Sequence, residues 1–134
     1  MTMDKRYKVF IIDDNEMTRA VLRMIIQGVR FDVIGDAGGA SAGLERALRL
    51  RPDIICLDVQ MPERDGLEIL ETLVAQLPDA VVLMVTARND APTVKVALER
   101  GARGFIVKPF NSGTVLDTMD AACVLIERRR QEAR

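Results

Sequence analysis

A chain of 134 residues has the size of one ordinary domain with a single core, and 49% apolar with 29% charged residues places it among globular proteins. No apolar run approaches the roughly 18 residues needed to cross a bilayer, and the polar start Met1-Thr2-Met3-Asp4-Lys5-Arg6-Tyr7-Lys8 leads into only four strongly apolar residues, so no secretory signal is read and a cytoplasmic location is expected. A net charge of −1 argues against broad affinity for nucleic acid, which needs a dense basic surface.

The first strand is expected at Val9, Phe10, Ile11 and Ile12, a β-branched and aromatic run that ends on the acidic pair Asp13-Asp14. Met17, Val21, Met24 and Ile25 then recur at helical spacing, with Asp14 or Asn15 available as the cap and Gly28 as the stop. A short second strand at Val33-Ile34 precedes the loop-like Gly35-Asp36-Ala37-Gly38-Gly39, and Leu44, Ala47 and Leu48 mark a second helix closed by Pro52. Ile54, Ile55, Cys56 and Leu57 form a buried-looking third strand that ends on Asp58, and the loop through Met61-Pro62 and Asp65-Gly66 leads to a helix carrying Leu67, Leu70, Leu73 and Val74, followed by Pro78. A fourth strand at Val81, Val82, Leu83, Met84 and Val85 ends on Thr86; Asn89 is a candidate cap for a helix with Val94, Ala97 and Leu98, stopped by Gly101. Phe105, Ile106 and Val107 make the fifth strand, Lys108 follows it, and Asn111 or Ser112 opens a last helix with Val115, Met119, Ala122, Cys123 and Ile126. Cys56 and Cys123 share no metal or redox spacing and are expected in the core without a disulfide. Five strands alternating with five helices, with near-continuous apolar strands, read as a (βα)5 doubly wound α/β fold: a parallel sheet covered on both faces.

Asp13, Asp14, Asp58, Thr86 and Lys108 all follow strands, so they sit on one edge of the sheet. If the first and third strands are neighbours, as at the switch point of an open doubly wound sheet, the three acids converge in one crevice. Taken singly, the acid pair reads as helix capping, Thr86 as a turn residue and Lys108 as a solvated cation. Taken together they carry complementary chemistry. Three adjacent carboxylates repel one another unless a hard divalent cation neutralises them, and Mg2+ favours a few carboxylates, waters and a phosphate oxygen. A fixed ammonium and a hydroxyl donor complete an apparatus for the oxygens of a transferring phosphoryl group. Asp58 is the acceptor expected on this reading, since carboxylates serve as aspartyl-phosphate nucleophiles.

The pattern Asp13-Asp14, Asp58-x-x-Met61-Pro62-x-x-Asp65-Gly66, Thr86-Ala87 and Lys108-Pro109-Phe110 resembles the receiver domain of two-component response regulators, the CheY-like family, over residues 7–127. The resemblance implies a single flavodoxin-like domain with strand order 2-1-3-4-5, acting as the phosphoacceptor of a phosphorelay. It implies Asp58 as the phosphorylated residue and Mg2+ held by Asp13, Asp14, Asp58 and the backbone carbonyl of Gln60. Thr86 would bond the phosphoryl group, Lys108 would contact it, and the Lys108-Pro109 peptide is a cis candidate. Phe105 occupies the place of the family's switch aromatic, which turns inward as Thr86 moves; its plain reading is a core phenylalanine. Gln60 and Arg88 stand where the family tunes hydrolysis, or are simple solvated side chains.

With no histidine in the chain, the phosphoryl donor must come from outside, and the resemblance implies a histidine kinase or histidine phosphotransfer protein, with small acyl phosphates as substitutes. A haloacid-dehalogenase-type phosphatase would want Asp-x-Asp, whereas Asp13 and Asp14 are adjacent and Gln60 stands two residues past Asp58. A nucleotide- or flavin-binding domain would want a phosphate loop with dinucleotide spacing, which residues 35–39 lack. The output surface is expected on the fourth helix, fifth strand and fifth helix, read by an effector protein, an output domain or a second copy; no direct contact with nucleic acid or membrane is expected. Arg128-Arg129-Arg130 is either a helix end whose cations suit the helix dipole or the start of a linker from an N-terminal receiver to a DNA-binding or enzymatic output domain.

Overall fold

The computed structural model describes residues 6–133. The elements in order are β1 (Tyr7–Ile12), α1 (Glu16–Ile26), β2 (Phe31–Ala37), α2 (Ala40–Leu50), β3 (Ile54–Asp58), α3 (Gly66–Gln76), β4 (Val81–Thr86), α4 (Ala91–Glu99), β5 (Gly104–Val107) and α5 (Ser112–Glu132). All five strands are parallel in one sheet of order β2-β1-β3-β4-β5. Burial follows that order. β3 and β4 are buried at every residue and β1 at all but Lys8, because these inner strands are covered on both faces. The edge strand β2 alternates buried with less buried positions, and β5 buries only Ile106 fully.

The pleat sorts the core into two layers. Val9, Ile11, Ile54, Cys56, Leu83, Val85 and Ile106 face α1 and α5, where Leu22, Ile26, Val115, Met119 and Ile126 meet them. Phe10, Ile12, Ile55, Leu57, Val82 and Met84 face α2, α3 and α4, against Ala47, Ile69, Leu70, Leu73 and Ala97. Both cysteine thiols are free and buried, and burial pushes them up, to about 12 for Cys56 and about 11 for Cys123, so neither is poised to react.

The structure refines the sequence reading in detail. Residues 35–37, expected as loop, belong to β2: Phe31, Val33, Gly35 and Ala37 all face inward, and the interposed Asp36 is held by arginines instead of ending the strand. On α1 the buried residues are Leu22 and Ile26, whereas Met17 and Met24 are 71% and 81% exposed. On α4, Thr93 and Ala97 are buried while Leu98 points outward. The caps resolve as Asn15, Asp90 in place of Asn89, and Asn111, which forms a capping box with Thr114. α1 ends at Ile26 with Gln27 as its C-cap, directly before Gly28. α5 runs on through Arg128, Arg129 and Arg130; Arg129 donates to the Pro78 and Ala80 carbonyls, and Arg130 pairs with Asp53 and Glu127. Among the described residues, no helix is long and apolar enough to cross a membrane.

Candidate functional site

Strand register brings the acids together. Ile12 pairs with Leu57, so Asp13 and Asp58 are each one step further along neighbouring strands, on the face of the sheet that carries Ile11 and Cys56. Asp58 in turn pairs with Val85, and Thr86 with Val107, so Thr86 and Lys108 reach the same edge. Asp13, Asp14 and Asp58 each offer a carboxylate oxygen within 4.8 Å of the others. Asp13 and Asp58 are buried, at 1% and 4% exposure, and Asp14 forms the open side. The Lys108 ammonium stands 3.1 Å from Asp13 Oδ2 and 3.6 Å from Asp58 Oδ1, and the Lys108-Pro109 peptide is cis.

Local chemistry keeps these carboxylates for the site. Asn15 caps α1 by accepting from the Thr18 N–H at 2.9 Å, so neither acid of the pair is spent on the cap. Asp13 Oδ1 accepts the Asn15 N–H at 2.8 Å, while Oδ2 is buried and accepts no hydrogen bond among the described residues. The Gln60 N–H donates to Asp58 Oδ1 at 3.3 Å. Burial, then the Asp13 charge, push the Asp58 carboxyl up to about 7, with Lys108 and the Gln60 N–H pulling the other way and a hydrogen bond to Asp14 adding to the rise. The Asp58 carboxyl therefore lies well above the usual carboxylate range, in a cluster that the Lys108 ammonium contacts directly.

The loop after Asp58 is held by Asp65 and Gly66. Asp65 caps α3 by accepting the Leu67 N–H at 2.8 Å, and the Gly66 N–H donates to the Val59 carbonyl. A Cβ at position 66 would lie 2.0 Å from the Asp58 carbonyl oxygen, so the start of α3 can lie against the end of β3 only with glycine there. The capping role of Asp65 was readable from an Asp before a helix with an acid in its first turn. Sequence reasoning also missed Glu63, whose carboxylate accepts the Ser41 N–H at 2.9 Å and so caps α2, whose own cap residue Gly39 has no side chain to do it. No local pattern pointed to that bond, because it joins the loop after β3 to the first turn of α2, 22 residues away in the chain.

Thr86 is 1% exposed, and its hydroxyl accepts the Arg88 N–H at 2.7 Å. Pairing of Met84 with Phe105 puts Thr86 and Phe105 on the same face of the sheet, where Phe105 packs half-buried against the α2–α3–α4 layer. Gln60 and Arg88 line the opening, a groove of about 360 Å³ shared with Asp14, Met61, Pro62 and Asp65. A groove of similar volume lies at the opposite edge, but its Arg129 and Arg130 are engaged by Pro78, Ala80 and Asp53, and among the described residues it holds no cluster of three acids.

A buried, lysine-contacted carboxylate cluster at the switch point of a 2-1-3-4-5 sheet is the architecture of a phosphoryl-accepting signalling domain. The chain matches the response regulator receiver domain over residues 9–120, and it belongs to that family. It is 36% identical to the chemotaxis protein CheY of Listeria monocytogenes over 115 residues, which are 86% of this chain and 97% of that one. It is 33% identical to a probable C4-dicarboxylate response regulator, DctR, of Halalkalibacterium halodurans, covering 82% of this chain but 48% of that longer protein. Among solved structures, a chain of the CheX-CheY-BeF3-Mg2+ complex of Borrelia burgdorferi is similar with TM-score 0.83 and 29% identity, over 87% of this chain and 89% of that one.

Proposed function

We propose that Asp58 is the phosphoacceptor of a two-component phosphorelay, receiving the group from a histidine kinase or histidine phosphotransfer protein and serving no substrate beyond its own phosphorylation and dephosphorylation. The observation that carries this reading is the buried Asp58 carboxylate, set 3.6 Å from Lys108 and within a three-acid cluster. In the transfer a carboxylate oxygen of Asp58 bonds to phosphorus as the phosphorus–nitrogen bond to the donor imidazole breaks. Lys108 offers a charge-assisted donor to the phosphoryl oxygens, and the Thr86 hydroxyl would exchange its turn bond with Arg88 for one to the phosphoryl group. Burial of Asp13 and Asp58 keeps these electrostatic interactions strong by limiting water.

The residues fit a Mg2+ ion. The donor set is all oxygen, and the buried Asp13 Oδ2 accepts no hydrogen bond, which suits a ligand atom rather than a packing one. Asp13, Asp14, Asp58 and the Gln60 carbonyl would hold the ion, whose charge, when bound, favours the ionised form of Asp58 and offsets that of the phosphoryl oxygens. The Thr86 and Phe105 pair would carry the change outward. α4, β5 and α5 expose Leu98, Val107 and Leu116, apolar side chains suited to a protein partner or a second copy. We read the chain as one receiver domain with its core at 7–127, in which Arg129 and Arg130 fasten the end of α5 to the far edge of the sheet. A second reading, an N-terminal receiver of a larger regulator, is favoured by the match to less than half of DctR.

Incubation with MgCl2 and acetyl phosphate, followed by intact-mass measurement, tests the assignment. Wild type is expected to gain the mass of one phosphoryl group and Asp58→Asn none; a gain that survives the substitution would sink it.

A further inference from the structure

Asp13 is held from three sides. Its N–H donates to the Ala37 carbonyl at 3.1 Å, its carbonyl accepts from Arg19 Nη1 at 2.8 Å, and its Oδ1 accepts from the Asn15 N–H at 2.8 Å. Oδ2 is left facing the cluster with the Lys108 ammonium at 3.1 Å. Of the three restraints, only the bond to the carbonyl comes from a side chain. Arg19 is itself anchored: its Nε stands 3.5 Å from Asp36 Oδ1, Asp36 Oδ2 pairs with Arg23 at 3.1 Å, and the Asp36 carbonyl accepts from Arg46. The Arg19 side chain is only 18% exposed, unlike an ordinary surface cation, and runs beside Gly38, where a Cβ would lie 3.1 Å from its Nη1. One guanidinium thus ties Asp13, the residue directly after β1, to the end of β2.

We propose that Arg19 is a positioning residue for the cation site. By bonding the Asp13 carbonyl and resting on Asp36, it holds the 13–14 peptide in the one orientation that presents Asp13 Oδ2 and the Asp14 carboxylate together. The inference rests on the reading of these acids as Mg2+ ligands. Loss of the guanidinium frees the carbonyl of Asp13, lets that peptide rotate, and spreads two of the three carboxylates before any metal arrives. Arg23 grips the same Asp36 but touches the Val33 carbonyl rather than Asp13, so it stabilises β2 without orienting the ligands.

The test is a titration of 15N-labelled full chain with MgCl2, followed by amide shifts in two-dimensional NMR, alongside the unfolding temperature of each metal-free variant. Arg19→Met is expected to weaken Mg2+ binding about 10-fold or more, the usual cost of losing a group that orients a ligand. Arg19→Lys, whose ammonium reaches the Asp13 carbonyl but cannot also rest on Asp36, falls between the two. Arg23→Met lowers the unfolding temperature yet keeps the wild-type affinity. Should Arg19→Met fail to fold, Gly38→Val displaces the guanidinium with its charge retained and is expected to weaken binding in the same way. Wild-type affinity in Arg19→Met, or in both Arg19→Lys and Gly38→Val, overturns the proposal. A wild type without Mg2+-dependent shifts, or an Asp13→Asn variant that titrates normally, overturns the site reading itself and the proposal with it.

Discussion

The buried charge at Asp58 has a thermodynamic consequence that can be measured without any phosphodonor. Its carboxyl is pushed from 3.8 to about 7 by burial and by Asp13, and at about 1.4 kcal/mol per tenfold change in proton affinity the ionised form costs about 4 kcal/mol in the folded chain. Solvent reaching the cluster past the exposed Asp14 reduces this to about 2 kcal/mol in practice. Because the folded carboxyl holds its proton to higher pH than the unfolded one, stability contributed by the protonated form is complete below about pH 4. It is lost as pH rises to about 7, and the curve is flat beyond. Asp58→Asn removes the ionisation. Metal-free Asp58→Asn should therefore be about 2 kcal/mol more stable than wild type at pH 8, with a Tm about 8 °C higher for a chain of this size, and the gap should shrink towards pH 4. Urea unfolding followed by far-UV circular dichroism in EDTA measures it. Added MgCl2 should raise wild type at pH 8 and raise the variant less. If the two proteins have the same stability at pH 8 in EDTA, or the gap widens as pH falls, Asp58 is not a charge strained by burial and the electrostatic argument fails.

Gly66→Ala places a Cβ 2.0 Å from the Asp58 carbonyl oxygen, so α3 must shift off the acceptor strand; a loss of about 2–4 kcal/mol in urea unfolding is expected, with slower phosphoryl uptake. Asn15→Ala removes the cap of α1 and should cost about 1 kcal/mol at pH 5 and pH 8 alike, while Asp14 stays free to bind the cation, so Mg2+ titration should be unchanged. Lys108→Met removes the charge that lowers the Asp58 carboxyl and, on the proposed function, a donor to the phosphoryl oxygens. Uptake from acetyl phosphate should fall about 100-fold, read by intact mass over time, and the metal-free Asp58 carboxyl should titrate at higher pH by carboxyl NMR.

Residues at strand ends were the most legible part of the chain. A parallel sheet forces Asp13, Asp58, Thr86 and Lys108 to one edge, so locating the strands located the site. The central strands were plain because burial on both faces demands unbroken apolar runs such as Ile54 to Leu57 and Val81 to Val85. β2 was read short because an edge strand tolerates Asp36, whose charge is absorbed by Arg19 and Arg23, partners contributed by α1 rather than by its own neighbourhood. The buried face of α1 was left open by the sequence. Its apolar residues surround most of the helix, so periodicity finds a helix but does not say whether Met17 and Met24 or Leu22 and Ile26 turn inward. Arg19 and Glu63 were silent in the sequence, and Gly66 stood there only as part of a pattern, because each acts on a residue brought near only by the fold: the carbonyl of Asp13, the start of α2 and the carbonyl of Asp58.

Phosphorylation of Asp58 is tested most directly by trapping. The chain is incubated with MgCl2 and acetyl phosphate, reduced with sodium borohydride to convert an aspartyl phosphate to homoserine, and mapped by peptide mass spectrometry. Homoserine at position 58 and at no other acid is the expected result. Homoserine at Asp13, Asp14 or elsewhere, with Asp58 intact, would contradict the assignment of the phosphoacceptor.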